Sequence, residues 1–179
     1  MVFHGRFSRA KLAGGLFIAA AAVAAFANPQ RAGAVGTYDA TAAAWPPPAF
    51  LGRWTGEGRL GFREGKTESV KCRVTYFADG ERAATLKQNV RCATPGAAVE
   101  VKSEITESNS ALSGVWTETV HNLSGDITGV RTAQGFRVHV KNTDLDATMD
   151  LILMDATQVI EIQFHNSMLL GLSIALTKG

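Results

Sequence analysis

The sequence is poor in the residues from which catalytic and metal sites are usually built. Its 179 residues include two cysteines, four histidines and three tryptophans, and aromatic side chains make up 8% of the chain. Beyond residue 34 the histidines are His121, His139 and His165, and none stands at a His-x-His or His-Glu-x-x-His spacing. The commonest zinc signatures are therefore missing, and no metal is expected. No serine occupies a Gly-x-Ser-x-Gly elbow, so the usual nucleophile of an α/β hydrolase is absent. The glycines of 52–61 do not have phosphate-loop spacing, and no helical pattern follows them. The sequence also lacks acid at its start, with no Asp or Glu before Asp39. After residue 34 it lacks any stretch of convincing helical periodicity. No convergent catalytic set emerges, and the chain is read as a non-enzyme that needs no cofactor.

The acid-free start is itself informative. His4, Arg6, Arg9 and Lys11 form a basic head, and 12–27 is an alanine-rich apolar run followed by small residues. The run is too short for a membrane span and has no polar face, so 1–34 reads as a secretory signal peptide. Cleavage fits after Ala34, the preferred site, or after Ala27. No cysteine near either site supports a lipid anchor. The mature protein is expected in the periplasm or secreted, and not membrane-spanning once the leader is removed. The charge reading changes with the leader. The chain has 18 basic and 16 acidic residues, but Arg6, Arg9, Lys11 and Arg31 leave with 1–34, giving 14 against 16 and a net of −2. A nucleic-acid partner thereby loses its electrostatic support. The remaining 145 residues suit a single domain.

Cys72 and Cys92, in a chain bound for an oxidising compartment and with no histidine nearby, are expected to form a disulfide. Residues 35–49 make a flexible, Pro-rich lead-in ending in Trp45-Pro46-Pro47-Pro48, stiffened toward an extended approach. Residues 50–179 then alternate apolar and polar positions in short runs, the signature of strands. Ten are predicted: 50–62, 68–77, 84–92, 99–105, 112–119, 126–131, 136–141, 145–153, 158–164 and 169–177. The faces read inward for Val70, Cys72, Val74 and Tyr76, and for Leu86, Val90 and Cys92 with Gln88 as a polar exception. They also read inward for Val99, Val101 and Ile105, and for Leu170, Leu172, Ile174 and Leu176. Matching the apolar faces of the second and third strands pairs Val74 with Val90, Tyr76 with Gln88 and Cys72 with Cys92, at a separation a disulfide accepts. A one-residue slip would carry Lys87 and Arg91 onto the apolar face, so a loop across 79–85 is expected. The fold class is all-β: an antiparallel up-and-down meander of about eight to ten strands closed into a small barrel, with a β-sandwich as the alternative. An outer-membrane barrel is disfavoured, because charges line most strands opposite the apolar face.

Two segments share a Gly-x-Trp-Thr core, 51–57 (Leu-Gly-Arg-Trp-Thr-Gly-Glu) and 112–118 (Leu-Ser-Gly-Val-Trp-Thr-Glu). Both indoles are expected to be buried packing anchors at strand starts. Trp54-Thr-Gly-Glu-Gly, Glu68-x-x-x-Cys72-Arg73-x-x-Tyr76, Val90-Arg-Cys92-Ala, Leu112-Ser-Gly-x-Trp116-x-Glu118 and Gly125-x-Ile-x-Gly129 together resemble a family of small exported proteins of rhizobia-like alphaproteobacteria. That resemblance spans roughly 50–178 and implies a β-rich fold with a paired-cysteine staple, without implying an activity. More distantly, Gly-x-Trp at a strand start is similar to the lipocalin and avidin type of calycin-like barrel. Such a barrel implies a small apolar or amphipathic ligand, for which Trp54, Tyr76, Gln88, Trp116, Phe136 and Met149 are the lining candidates. The alternative is an envelope structural or protein-interaction module with a filled core; the sequence leaves the oligomeric state open. Asp144, Asp146 and Asp150 lack the central glycine and closing glutamate of a calcium loop. Glu57 and Glu118 are read as structural hydrogen-bonding groups rather than an acid/base pair.

Overall fold

A computed structural model describes residues 44–80 and 84–179. The expected leader, its cleavage after Ala34 or Ala27 and the first part of the lead-in lie outside the described residues. Ten strands follow one another: β1 (Gly52–Phe62), β2 (Thr67–Ala78), β3 (Thr85–Ala93), β4 (Ala98–Ser108), β5 (Ala111–Glu118), β6 (Leu123–Thr132), β7 (Gly135–Lys141), β8 (Asp146–Met154), β9 (Thr157–Phe164) and β10 (Leu169–Lys178). Each pairs antiparallel with its neighbours in sequence, and β1 pairs with β10, so the meander closes into a barrel rather than a sandwich. Closure leaves no strand edge open to another chain.

Register follows from the alternation. Val74 faces Val90, Tyr76 faces Gln88 and Cys72 faces Cys92. The cysteines are bonded, with Cα atoms 4.2 Å apart. A bridge spanning 20 positions contributes about 3 kcal/mol through restriction of the unfolded chain. Turn chemistry agrees with the pairing. Ser108 pairs with Ala111, and the two residues between them, Asn109 and Ser110, have φ of 50° and 66°. That is the primed turn whose twist matches a two-residue hairpin.

Two of the expected faces are corrected. Leu170 is 55% exposed, because the β1–β10 register shifts between Gly61 and Phe62 and turns the first residues of β10 over. Val99 keeps its inward parity opposite Cys92 but is exposed, since it stands near the start of β4 where no neighbour covers it. Strand one is also shorter than 50–62 at its start. Phe50 lies in the turn before β1, and its N–H donates to the carbonyl of Pro47.

The two ends of the barrel differ. One carries the β2–β3, β4–β5, β6–β7 and β8–β9 connections together with residues 44–51. There the lead-in enters the barrel: Trp45 and Phe50 are buried, and Trp45 and Phe50 both meet the Phe136 ring at about 6 Å. Nε1 of Trp45 donates to the Ile105 carbonyl, and Nε1 of Trp54 donates to the Phe50 carbonyl at 2.8 Å. Arg131 and Lys178 lie over the Trp45 and Trp54 rings. The Pro-rich stretch thus stoppers one end. The other end carries the 63–66, 94–97, 119–122, 142–145 and 165–168 turns, and no segment of the described residues crosses it in this way.

Candidate functional site

Side-chain alternation makes the interior, and strand number sets its size. Ten strands about 4.8 Å apart at a tilt near 40° give a radius of roughly 10 Å, against roughly 8 Å for eight strands. The inward positions of β1, β5 and β6 include Gly56, Gly58, Gly114, Gly125 and Gly129, which contribute no side chain to fill that space. At the stoppered end Trp54, Tyr76, Leu86, Ile105, Phe136, Leu151 and Leu176 are fully buried. Toward the other end the inward residues Val90, Val101, Leu123, Val140, Met149, Ile162 and Leu172 are only half-buried. Several of them stand well inside their strands, so solvent reaches the lumen from that side. The less covered end of the lumen forms a mostly apolar cup, within which Val70, Cys72 and Cys92 are nonetheless buried.

Its floor is polar at one point. The Tyr76 hydroxyl donates to Oε1 of Gln158 at 2.9 Å, a strut from β2 to β9 across the barrel. Burial pushes the Tyr76 hydroxyl up, and the bond to Gln158 offsets only part of that shift, so the phenol stays neutral. A diagonal of polar groups climbs one wall through successive cross-strand neighbours: Tyr76, Gln88, Ser103 and Trp116. Ser103 Oγ donates to Gln88 Oε1 at 3.4 Å. Nε1 of Trp116 and Nε2 of Gln158 are buried donors without a partner. Apart from Gln158, the facing wall from β7 to β10 is apolar: Val138, Met149, Ile160, Ile162 and Leu172.

Near the open end Glu118 turns inward and is buried. Its carboxylate accepts from the backbone N–H of Glu100 (3.1 Å), Val120 (2.9 Å) and His121 (2.6 Å), with Nδ1 of His121 at 3.0 Å. Burial pushes this carboxyl up, but the hydrogen bonds from His121, Val120 and Glu100 outweigh it and hold the group at about 2. Glu118 is thus an ionised staple for the 119–122 turn. Glu57, on the outer face, pairs with Lys71 at 3.0 Å, so the two carboxylates lie on opposite sides of the wall and form no acid/base pair.

The six lining candidates divide between the two ends. Trp54, Tyr76 and Phe136 are packed into the stoppered end, where they fill space. Gln88, Trp116 and Met149 stand along the cup. Both indoles of the Gly-x-Trp segments are buried, Trp54 completely and Trp116 to within 4%. Sequence reading missed Ser103, Gln158 and the stopper residues Trp45 and Phe50. Ser103 and Gln158 share parity with inward neighbours, which was the available signal. Gly65-Lys66-Thr67 has the tail of a phosphate loop but occupies the β1–β2 turn and runs into a strand, with Lys66 Nζ 2.7 Å from Glu68.

The outer face is mostly polar, with two grooves among the described residues, one of about 590 Å³ over β1–β4 that runs past Glu57, Lys71, Arg73, Arg91 and Val99. Asp150 pairs with Arg137 at 2.6 Å, and Asp146 accepts from His139 at 2.7 Å with Lys141 nearby. The bond from His139 is the main reason the Asp146 carboxyl sits below its ordinary value. The other is a groove of about 330 Å³ over β2–β5, where Phe77 and Val115 are 51% and 55% exposed beside Lys87, Lys102 and Glu104.

No protein-family model matches the chain, and no curated protein matches it in sequence. Among solved structures it is similar to Rv2717c from M. tuberculosis, at 10% identity and a TM-score of 0.61, over 74% of this chain and 94% of that one. It is also similar to the S-type phycobiliprotein lyase CPES from Guillardia theta, at 8% identity and a TM-score of 0.52, over 73% and 89% of the two chains. At such identities the likeness establishes a shared β-barrel fold, in agreement with a calycin-like barrel.

Proposed function

We propose that the protein is an exported, non-catalytic binding barrel that holds one small apolar or amphipathic molecule in its open cup. The observation that carries this reading is the half-burial of inward apolar residues well inside their strands, Val101, Met149 and Ile162 above all. A core evolved only for stability would close over them, since each leaves buried-type surface in water. One of the two barrel neighbours is a phycobiliprotein lyase, and a shared barrel fold is compatible with a bound small molecule. Export rests on the basic, alanine-rich start of the sequence, and the formed disulfide fits an oxidising compartment. We further propose that the chain is one of the small exported β-rich proteins its motifs resemble. Among the described residues no helix is long and apolar enough to cross a membrane. The outward charges at mid-strand, such as Arg73 and Arg91, would each cost about 2–4 kcal/mol facing lipid.

Native mass spectrometry of the protein purified from the envelope of its own cells tests the reading. A stoichiometric small molecule, released on denaturation, is the expected result. Repeated absence of any adduct, together with failure to take up a neutral apolar dye, would overturn it. The exposed Phe77 and Val115 favour a second reading, an envelope protein docked on the outer β2–β5 groove.

A further inference from the structure

We propose that the cup selects a neutral, acceptor-bearing amphipathic molecule, with an ester, amide or ether oxygen bonded to Trp116 Nε1, over a fatty acid or other anion. The inference rests on the binding-barrel reading and narrows its ligand class.

Three observations carry it. First, the inward positions of the open half hold no lysine or arginine among the described residues. They are Gly58, Leu60 and Phe62 on β1, Glu68, Val70 and Cys72 on β2, Val90 and Cys92 on β3, and apolar residues with Glu118 on the strands beyond. The cations at the rim are engaged elsewhere: Arg63 with the carbonyls of Phe164, His165 and Ser167, Lys66 with Glu68, and Lys141 with Asp146. Second, the inward ionisable groups of this half are carboxylates, Glu118 and the half-buried Glu68. Glu118 stays ionised through the physiological range, because backbone donors hold its carboxyl far below the ordinary value. A buried anionic headgroup would find no unpaired countercharge and would meet the ionised Glu118, Glu68 being paired with Lys66, so its binding is strongly disfavoured. Third, the polar stripe offers donors that lack acceptors. Trp116 is 4% exposed, faces inward opposite Ser103, and its Nε1 has no partner. The ring lies across Gly125, where a Cβ would come within 2.8 Å of Nε1, so the indole is held at the lumen wall by close packing. Nε1 has no surface open to solvent, so a ligand oxygen reaches it once the ring swings from Gly125 toward the cup, and the new bond offsets the unfavourable state of a buried N–H without an acceptor. The apolar wall of β8–β10 opposite receives the remainder of the molecule.

The test uses the mature protein labelled with 15N-tryptophan, whose three indole N–H signals are assigned with Trp116→Phe. It is titrated with 1-monoolein and with oleate, each competing against the neutral dye N-phenyl-1-naphthylamine. Monoolein should displace the dye at least tenfold more tightly than oleate and should move the Trp116 N–H signal downfield. Trp116→Phe, which keeps an aromatic ring but removes the indole N–H, should weaken monoolein about fivefold more than it weakens the dye. Oleate binding as tightly as monoolein, or a Trp116 signal unmoved at saturation, overturns the selectivity while the carrier reading stands. A cup that takes up neither dye nor lipid overturns both. If Trp116→Phe fails to fold, the wild-type indole shift and the monoolein-to-oleate ratio still decide the matter.

Discussion

The two ends of this barrel are built from the same alternating strands and come to opposite states. At one end the chain supplies its own plug. Trp45 and Phe50 drop into the barrel, Phe136 receives both rings, and Trp54, Tyr76, Leu86, Ile105, Leu151 and Leu176 beside them are sealed from water. At the other end comparable side chains, such as Met149 and Ile162, remain half-open. The contrast teaches that strand pairing fixes the wall while a few residues outside the strands decide whether the space within is core or cup. Stability should therefore concentrate at the plugged end and binding at the open one.

Substitutions at the plugged end give the sharpest separation. Phe136→Ala should cost about 3–5 kcal/mol, as for a fully buried aromatic, read as a lowered urea midpoint at unchanged slope. Met149→Ala at the open end should cost less, about 1–2 kcal/mol, since part of that surface is already wet. Equal losses at the two positions would break the comparison. Next in size is the staple: replacing Cys72 and Cys92 together by Ser should cost about 3 kcal/mol, measured the same way under non-reducing conditions.

Acid should act on the open end through Glu118. Its folded carboxyl sits at about 2, below the ordinary 4.5. The stabilisation it gives is therefore complete above about pH 4.5 and disappears as pH falls from there toward 2. Glu118→Gln should cost about 2 kcal/mol at pH 7, the scale of hydrogen bonds to a charged group. At pH 2 the variant and the parent should unfold at nearly the same urea concentration. A gap that persists at pH 2 would mean that Glu118 acts through packing instead. The smallest effect belongs to the outer face, where Arg137→Met, breaking the exposed pair with Asp150, should change stability by about 0.5 kcal/mol or less.

Much of the wall was legible in the sequence. Period-two alternation placed all ten strands, and the register of β2 on β3 followed from keeping Lys87 and Arg91 off the apolar face. Leu170 was not legible, because a bulge leaves no mark in a pattern that assumes unbroken alternation. The plug was not legible either. Trp45 stands among prolines and small residues, outside any periodic stretch, and its burial depends on a hole that only the closed barrel creates. The same holds for the cup. Alternation reports that Val101 and Trp116 face inward, but whether an inward residue meets a neighbour or water depends on barrel radius and on inward glycines such as Gly58 and Gly125. Gln88 was legible as a polar exception opposite Tyr76 within an apolar face, whereas the continuation to Ser103 and Gln158 required strands further along the chain.

The central claim is that the open cup, and not the outer groove, is where a small molecule binds. The direct measurement is a fluorescence titration with N-phenyl-1-naphthylamine of three proteins: the parent, Val101→Phe with Ile162→Phe to fill the cup, and Phe77→Ser on the outer groove. Saturable binding of one dye per chain is predicted for the parent and for Phe77→Ser, with affinity at least tenfold weaker in the filled variant and little change in its melting temperature. Unchanged affinity in the filled variant, with binding lost in Phe77→Ser, would contradict the account and place the site on the outside of the barrel.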